Sequence, residues 1–369
     1  MDEQKKTLPL VVYCLPIYNG ADILMNCVNS ILQQTYENVK ILIGDNCSTD
    51  STQDLCEDLA KNNSNIIYLR HSKNNGCYWN YLKLISSLGI LQAKYFVFAQ
   101  DDTIYLPNHA SRCISILEKN DKVVSCMTAL GVDNNPNAPV YFDDLNTTNL
   151  SLKNRIAKFA RLDSKGLLFV GVHRASAFEN VRDMWFNLST NRLTDLEIST
   201  YTLVSGESII LNELLAHRSY AKTRQIRNEN YNAYLERHHV ASNLRQGVTI
   251  PFCNGIRKIC QQIFQRSDID DINEALDTID TFVSIISKRY DHAIDLEINR
   301  ALDLVKKGIF YQSWHPSDIE NQVSPIFEDK LMSIFLNNLL RDAVDCYTFL
   351  KNDKLKQLID LCLDKTKAP

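Results

Sequence analysis

Several features that define common classes of protein are missing from this sequence. No apolar run reaches the roughly 18 residues that a membrane helix needs, and the run near the start lacks the order of a signal peptide. The 11 cysteines include no CxxC pair, which argues against a zinc ribbon, and in a chain of 369 residues they indicate reduced thiols. The net charge of -4 offers no basic surface for nucleic acid. We therefore expect a cytoplasmic protein without a nucleic-acid partner, for which peripheral association with the inner face of the cytoplasmic membrane stays open.

The two commonest phosphate-binding loops are also absent. No G-x-G occurs, which excludes the dinucleotide-binding fingerprint, and the sequence contains no GxxxxGK[ST] loop. A ligand that carries a diphosphate would therefore need a different source of positive charge.

The first half of the chain alternates short β-rich runs with helical patterns. Strands are expected at residues 10–18, with a break at Pro16, and at 39–44, 65–70, 94–99, 122–129, 167–174 and 207–213. Helices are expected at 21–35, 48–62, 77–89 and 193–205, and residues 131–165 are expected to be loop with one short helix. This alternation predicts an α/β fold with a mostly parallel central sheet and helices on its faces.

The strand signal disappears past about residue 225, whereas apolar residues continue at the 3–4 spacing of a helix. The clearest series is Ile272, Leu276, Ile279, Val283 and Ile286. The sequence therefore predicts two domains, residues 1–224 and an all-helical C-terminal domain or extension at 225–369. A role of the tail in acceptor binding, oligomerisation or structure stays open, as does the oligomeric state.

Polar groups follow each of the first four predicted strands, in the segments PIYNG, GDNCSTD, RHSKNNG and QDD. Open α/β sheets bind ligands at the carboxyl ends of their strands, so these groups are expected on one rim. The mixture suits a ligand with sugar hydroxyls, a base edge and phosphates. Asp101 and Asp102 are suited to hold Mg2+ or Mn2+ as the counter-charge for a diphosphate. The alternative for this pair is a polar turn that ends a strand.

The segment LPIYNGADILMNCVNSILQQTYENVKILIGDNCSTDST resembles the opening of family-2 glycosyltransferases, which have the GT-A fold. It contains Pro-x-Tyr-Asn after the first strand, a helix that ends in Ser-Ile-Leu-x-Gln-Thr, and Asp-Asn-x-Ser-Thr-Asp after the second strand. NNG and QDD follow downstream, and the resemblance covers roughly residues 8–220. It implies a GT-A type nucleotide-binding sandwich. It also implies inverting transfer by direct displacement from a nucleotide-sugar, most often a UDP-sugar, to a glycan or lipid-linked acceptor in polysaccharide biosynthesis.

The resemblance also assigns residues to the nucleotide. Asp45 would accept hydrogen bonds from the base, and the remaining residues would line the nucleoside or the diphosphate. The full set implied for nucleotide binding is Pro16, Tyr18, Asn19, Asp45, Lys73, Asn75 and Asp101.

The aspartate pair corresponds to the metal-binding D-x-D of the family, with Ala99 in place of the first acid. Asp102 is then the expected ligand of Mg2+ or Mn2+, with Asp101 toward the ribose or the water shell of the metal. His217 is a further candidate ligand near the close of the domain, with Arg218 as a nearby cation.

An inverting transfer needs one general base that deprotonates the attacking hydroxyl. Family members place an acid at the start of a helix that follows a strand resembling FVGVHR, and NRLTDLEIST occupies that position here. Asp195 is the first candidate and Glu197 the second. The alternative is a solvated first-turn acid, which the helix dipole favours in any case.

Two other functions fit a similar sheet with an acidic pair. A nucleotidyltransferase normally has a Gly-rich loop with a basic residue after the first strand, and PIYNGAD does not supply it. A non-catalytic nucleotide- or sugar-binding module would keep the rim without a working base. The sequence identifies neither the donor sugar nor the acceptor and its linkage.

Overall fold

The computed structural model describes residues 8–74, 77–132, 146–161, 165–178, 194–218, 251–265, 272–307 and 325–366. The chain divides into two compact units. The α/β unit comprises Met1–Phe186 and Ile198–Glu229, and the helical unit comprises Asn187–Glu197 and Asn230–Pro369. The predicted boundary at residues 224 and 225 lies outside the described residues and stays a prediction.

The α/β unit is built on an eight-stranded sheet with the order β3-β2-β1-β4-β7-β6-β8-β5. Strands β1 to β4 are parallel neighbours, β6 and β8 are also parallel, and the pairs that involve β5 and β7 are antiparallel. The predicted mostly parallel sheet is therefore confirmed. The strands are β1 Val11–Ile17, β2 Val39–Asp45, β3 Ile66–Arg70, β4 Tyr95–Phe98, β5 Thr103–Tyr105, β6 Val123–Val132, β7 Val172–Arg174 and β8 Glu207–Arg218.

Helices cover the sheet through apolar faces at 3–4 spacing. In α1, for example, Leu24, Cys27, Val28 and Ile31 are buried, whereas Leu32 at the end of the helix is 36% exposed. The helices that the structure describes up to residue 218 are α1 Leu24–Leu32, α2 Thr52–Asn62, α3 Cys77–Ser86, α4 His109–Leu117, α5 Leu152–Arg161 and α6 Thr194–Ser205.

The predicted break at Pro16 is wrong, because β1 continues to Ile17. The Cys14 carbonyl accepts a hydrogen bond from the Ala99 amide, and the Ile17 carbonyl accepts one from Asn46 in the loop after β2. Since backbone groups alternate sides along a strand, the missing N–H of Pro16 faces the β4 side. The β1–β4 pairing ends at Cys14 and Phe98, so no ladder bond is lost at Pro16.

Two further predictions differ from the structure. Residues 167–174 were expected to form one strand, but Lys165–Val170 is a 3-10 helix and β7 is limited to Val172–Arg174. Strand β5 was not expected, because Thr103–Tyr105 is three residues long and carries no alternating pattern that extends beyond them. The existence of β5 depends on its antiparallel partner β8, which is more than 100 residues away in the sequence.

The helical unit contains α7 Pro251–Phe264, α8 Ile272–Arg289, α9 Asp291–Lys307, α10 Pro325–Leu350 and α11 Asp353–Thr366. The predicted helical tail is therefore confirmed for the part that the structure describes. In α8 the buried series passes through Ala275, Ile279, Phe282 and Ile286, and the predicted core residues at 272 and 276 are 58% and 48% exposed. The buried face of α8 therefore differs from the expected series at the start of the helix and agrees with it at Ile279 and Ile286. Among the helices described, none is long and apolar enough to cross a membrane.

Candidate functional site

The carboxyl ends of β1 to β4 meet at one edge of the sheet, as expected for parallel neighbours. The register pairs Ile17 with Asp45 and Asp45 with Arg70, so three strands end level with each other. Strand β4 ends earlier, at Phe98, and the Gln-Asp-Asp turn follows it. We call this edge the rim and define it as residues 16–20, 45–52, 70–74 and 100–102. The predicted gathering of polar segments is therefore present.

Asp45 is fully buried at the end of β2 and is held by three residues. Its Oδ1 accepts a hydrogen bond from the Ser48 amide at 2.8 Å, and its Oδ2 accepts one from the Tyr68 hydroxyl at 2.7 Å. The Arg70 guanidinium forms an ion pair with the same Oδ2. Burial alone would raise the pKa of Asp45, but the hydrogen bonds from these partners outweigh it and lower the pKa below the ordinary value. Asp45 is therefore ionised at neutral pH.

The residue before Asp45 must be glycine because α3 approaches β2 closely there. Asn80 of α3 is buried and donates a hydrogen bond from Nδ2 to the Gly44 carbonyl, and its Oδ1 lies 3.1 Å from His71 Nε2. A Cβ on Gly44 would overlap the Asn80 side chain. This contact fixes the backbone that carries Asp45 into the rim.

Asn19 joins the loop after β1 to the loop after β2. Its φ of 50° is in the left-handed region, which asparagine tolerates better than most residues. Its Oδ1 accepts a hydrogen bond from the Thr49 amide at 2.8 Å, and its own amide donates to Ser48 Oγ at 2.9 Å. The next amide, that of Gly20, donates to Thr52 Oγ1 at 3.0 Å. Asn19 thus stabilises the rim itself, and its contact with a nucleotide stays a prediction.

The other predicted nucleotide residues lie along the same edge with different exposure. Pro16 and Tyr18 are half-buried at the end of β1, Asp101 is half-buried after β4, and Lys73 is exposed after β3. Asn75 lies outside the described residues. The structure therefore brings the described members of this set together, and their binding role stays a prediction.

Asp102 is held by a residue that is distant in the sequence, Arg218. Strand β5, which follows directly, pairs with the end of β8 so that Thr103 lies opposite Arg218 and Ile104 opposite His217. Arg218 Nε donates to Asp102 Oδ2 at 3.1 Å, and the Thr103 hydroxyl lies 3.4 Å from Asp102 Oδ1. The Asp102 side chain is 3% exposed and that of Arg218 is 23% exposed. The ion pair therefore covers the carboxylate that was predicted to bind metal.

His217 packs in a different direction from its neighbour Arg218. Successive side chains of a strand point to opposite faces, and the one that contacts Asp102 is Arg218. His217 lies opposite Gly131 of β6, and a Cβ on that glycine would overlap the imidazole ring. The metal-ligand role predicted for His217 is not tested, but Arg218 is the residue of this strand that reaches the aspartate turn.

The donor set of the turn fits a hard divalent ion that brings its own ligands. Asp101 and Asp102 supply adjacent carboxylates, which suit Mg2+ or Mn2+. Ala99 is fully buried and its amide donates to the Cys14 carbonyl at 2.8 Å, so the position of the missing acid belongs to the core. Within the described ranges, no three His, Cys, Asp or Glu side chains gather as a metal site. The turn therefore fits a metal whose remaining ligands are water and a diphosphate.

The two candidate bases lie in the first turn of α6. The position of Asp195 is described for its backbone only, within Thr194–Ser205. Glu197 is 1% exposed and belongs with the helical unit, where it lies near the buried Lys258 of α7. Burial lowers the pKa of Lys258 to about 8, against the opposing influence of Glu197 and the buried Asp342. Glu197 is therefore part of a buried charged cluster, and its predicted catalytic role is untested.

Sequence reasoning missed several residues that shape the rim. Tyr68 and Arg70 are two apart on β3 and reach Asp45 together, but only the register of β2 and β3 shows this. Arg218 was noted as a nearby cation, whereas its pairing with Asp102 follows from β5, which was not predicted. Alternation along β3 is the one signal that would have grouped Tyr68 with Arg70.

Comparison with known proteins shows which family the segment that carries the rim resembles. Residues 13–180 match the model of the family described as "Glycosyl transferase family 2". This segment, which carries Asp45 and Asp102, is therefore similar to glycosyltransferase family 2. The predicted resemblance to that family is confirmed.

Individual relatives match shorter segments. An uncharacterized glycosyltransferase of Rickettsia felis is 33% identical over 125 residues, which is 32% of this chain and 20% of that protein. An abequosyltransferase of Salmonella typhimurium is 37% identical over 100 residues, 26% of this chain and 29% of that protein. The chain thus spans well under two thirds of the length of these relatives.

A solved structure shows the same fold over most of the chain. Staphylococcus aureus TarS 1–349, in complex with UDP-GlcNAc, aligns with a TM-score of 0.58 and 12% identity. The alignment covers 97% of this chain and 88% of that one. The predicted GT-A type fold is therefore confirmed.

Proposed function

We propose that this protein is an inverting glycosyltransferase that moves a sugar from a nucleotide-sugar to a glycan or lipid-linked acceptor. The observation that carries the proposal is the rim, where Asp45 and Asp102 end neighbouring segments of a family-2 domain, each beside an arginine. The fold neighbour TarS was solved with UDP-GlcNAc and with UDP, which supports a UDP-sugar as donor. One relative is named for abequosyl transfer, which supports sugar transfer in general.

Donor binding in this proposal uses groups that the fold already holds in place. The described partners of Asp45 are Ser48, Tyr68 and Arg70, and in this proposal the carboxylate also accepts an N–H of the base. Asp101 lies toward the ribose, and the exposed Lys73 adds positive charge for the phosphates.

A divalent ion would be held by Asp102, with Asp101 in contact with its water shell and His217 as a further candidate. When bound, Mg2+ or Mn2+ stabilises the negative charge that builds on the departing diphosphate. The chain contributes fixed carboxylates on a turn that is tied to its surroundings. The Gln100 carbonyl accepts hydrogen bonds from the Thr103 amide at 3.0 Å and from Cys27 Sγ at 3.2 Å.

Asp195 is the general base of the proposal. It takes the proton of the acceptor hydroxyl as that oxygen attacks the anomeric carbon, and the bond from this carbon to the diphosphate breaks on the opposite face. The new glycosidic bond therefore has the inverted configuration. Glu197 is the second candidate, but its burial beside Lys258 keeps its carboxylate away from solvent in this structure.

A lipid-linked acceptor would be met at the inner face of the cytoplasmic membrane. The protein would then be in the cytoplasm and associate peripherally with that membrane. Flotation with anionic liposomes tests this, and a protein that stays with the soluble fraction while retaining activity on a water-soluble glycan would limit the acceptor to free glycans.

The experiment is a transfer assay with a panel of nucleotide-sugars, with and without Mn2+, on wild type, Asp102→Asn and Asp195→Asn. We expect each variant to lose transfer by about 10²–10⁴-fold, the range for loss of general base or charge stabilisation. Asp121→Asn is the matched control, because this carboxylate is fully exposed (101%) and lies outside the rim. Wild-type rates in both variants would refute the proposal. Tight nucleotide binding without turnover would favour a non-catalytic binding module. Transfer of the nucleotide to a sugar phosphate would favour a nucleotidyltransferase.

A further inference from the structure

The ion pair between Asp102 and Arg218 occupies one of the two oxygens that a metal could use. Arg218 Nε lies 3.1 Å from Asp102 Oδ2, and the carboxylate is 3% exposed beneath it. The other oxygen, Oδ1, faces the Thr103 hydroxyl at 3.4 Å. A divalent ion bound by either oxygen of this carboxylate would lie within a few ångströms of the guanidinium, and like charges repel strongly where water is excluded. Arg218 in this position therefore weakens metal binding at Asp102.

Of the two partners, Arg218 is the one placed to move. Asp102 lies between two fixed points, because the Thr103 amide bonds the Gln100 carbonyl at 3.0 Å and the Tyr105 amide bonds Ser30 Oγ at 3.1 Å. Arg218 is the last residue of β8, and 23% of its side chain is exposed. A long side chain at the end of a strand changes rotamer at lower cost than a turn anchored on both sides.

A diphosphate is the natural second partner for this guanidinium. The planar fork of arginine binds phosphate oxygens at least as well as a single carboxylate oxygen. We propose that Arg218 is a built-in counter-ion of Asp102 that links divalent-metal binding to nucleotide binding. It neutralises Asp102 while no nucleotide is bound, and it transfers to the diphosphate when the donor binds, which exposes Asp102 to the metal. This inference rests on the proposed function.

The link is reciprocal. If a nucleoside diphosphate raises the affinity for the metal by some factor, the metal raises the affinity for the nucleotide by the same factor. Arg218 increases that factor because it weakens metal binding in the nucleotide-free protein only. Its removal would tighten metal binding before the nucleotide arrives and reduce the benefit that each ligand gives the other.

The test measures binding of Mn2+ to the full chain by electron paramagnetic resonance of the free ion, with and without saturating UDP. In Arg218→Gln we expect Mn2+ to bind the nucleotide-free protein about tenfold more tightly than in wild type, and the UDP-dependent enhancement to shrink by about the same factor. Arg218→Lys keeps the charge without the fork, so it should leave the nucleotide-free affinity near the wild-type value and weaken UDP binding. If Arg218→Gln does not fold, Arg218→Lys still tests the inference through its weaker UDP binding.

Arg112→Gln is the matched control. Arg112 pairs with Glu213 on the same strand β8, away from the rim, so its loss should leave both Mn2+ affinities unchanged. Unchanged or weaker Mn2+ binding to nucleotide-free Arg218→Gln would overturn the inference while leaving the proposed function standing. A wild-type protein that binds neither Mn2+ nor any nucleotide-sugar would overturn both.

Discussion

The rim contains two aspartate–arginine pairs that look alike in composition and differ in construction. At β2 and β3, Asp45 is 0% exposed and receives hydrogen bonds from Ser48 and Tyr68 in addition to Arg70. At the aspartate turn, the described contacts of the Asp102 carboxylate are the ion pair with Arg218 at 3.1 Å and the Thr103 hydroxyl at 3.4 Å. Both arginines are the last residues of their strands, so the pairs differ in the number of neutral donors described around each carboxylate.

This difference separates two uses of the same chemistry. A carboxylate held by several donors keeps one position and one charge, which suits an acceptor that must meet the edge of a base. A carboxylate with fewer neutral donors around it can exchange its counter-ion for another cation, which suits a metal ligand. The construction of each pair therefore agrees with the role that the family resemblance assigns to its aspartate.

The largest expected effect concerns the closed network. Asp45→Asn removes the charge that Arg70 and Tyr68 are arranged around, and we expect it to lower the free energy of unfolding by about 2–3 kcal/mol. Asp102→Asn should cost less, about 1 kcal/mol, since fewer neutral donors are described around this carboxylate. Urea denaturation followed by circular dichroism measures both. Equal losses in the two variants would break the distinction between the pairs.

The helical unit contains a third arrangement of buried charge. Lys258 is 6% exposed, and its Nζ makes no hydrogen bond to the residues described, although Glu197 and Asp342 influence its pKa. Lys258→Met removes a buried cation beside these acids and should destabilise the protein. Because the double variant with Glu197→Gln removes both charges, we expect it to regain part of the loss, with a coupling energy of about 1–2 kcal/mol.

A double-mutant cycle in urea measures this coupling. The control combines Lys258→Met with Gln53→Ala on the surface helix α2, which is distant in the sequence. The effects of these two changes on the free energy of unfolding should add. Additivity of Lys258→Met and Glu197→Gln would show that the two charges do not interact and would leave Glu197 available for another role.

The sequence predicted the strands of the rim well and their contacts poorly. The ends of β2 and β3 were expected at Gly44 and Arg70, and the structure places them at Asp45 and Arg70. Motifs record which polar residues follow a strand, because strand ends have local turn chemistry. The Asp45–Arg70 contact depends on register, which no local pattern carries, and Arg218 reaches Asp102 only through the unpredicted β5.

The buried charges of the helical unit were not predicted from the sequence, for a related reason. Lys258 and Glu197 look like ordinary surface residues in a one-dimensional pattern, since both occur in helices with polar faces. Their burial follows from how distant helices pack, and the same packing moved the apolar stripe of α8 from Ile272 and Leu276 to Ala275 and Phe282.

The smallest expected effect is the acid sensitivity that belongs to Asp45. Its pKa is lowered in the folded protein, so its contribution to stability is present above the ordinary pKa of 3.8 and is lost as the pH falls below it. The effect is smaller than that of Asp45→Asn because Ser48 can still bond the protonated acid. Burial lowers the pKa values of His109 and His173 to about 4, so stability already falls between pH 6.5 and about 4 in every variant.

Urea midpoints of wild type and Asp45→Asn between pH 7 and pH 3 separate these contributions. The two proteins should lose stability in parallel down to pH 4, because the histidines are unchanged. Below that pH the wild type should lose more, and the gap between the curves should narrow. A constant gap throughout would mean that Asp45 binds the same number of protons in the folded and the unfolded protein, so that its pKa is not lowered by folding.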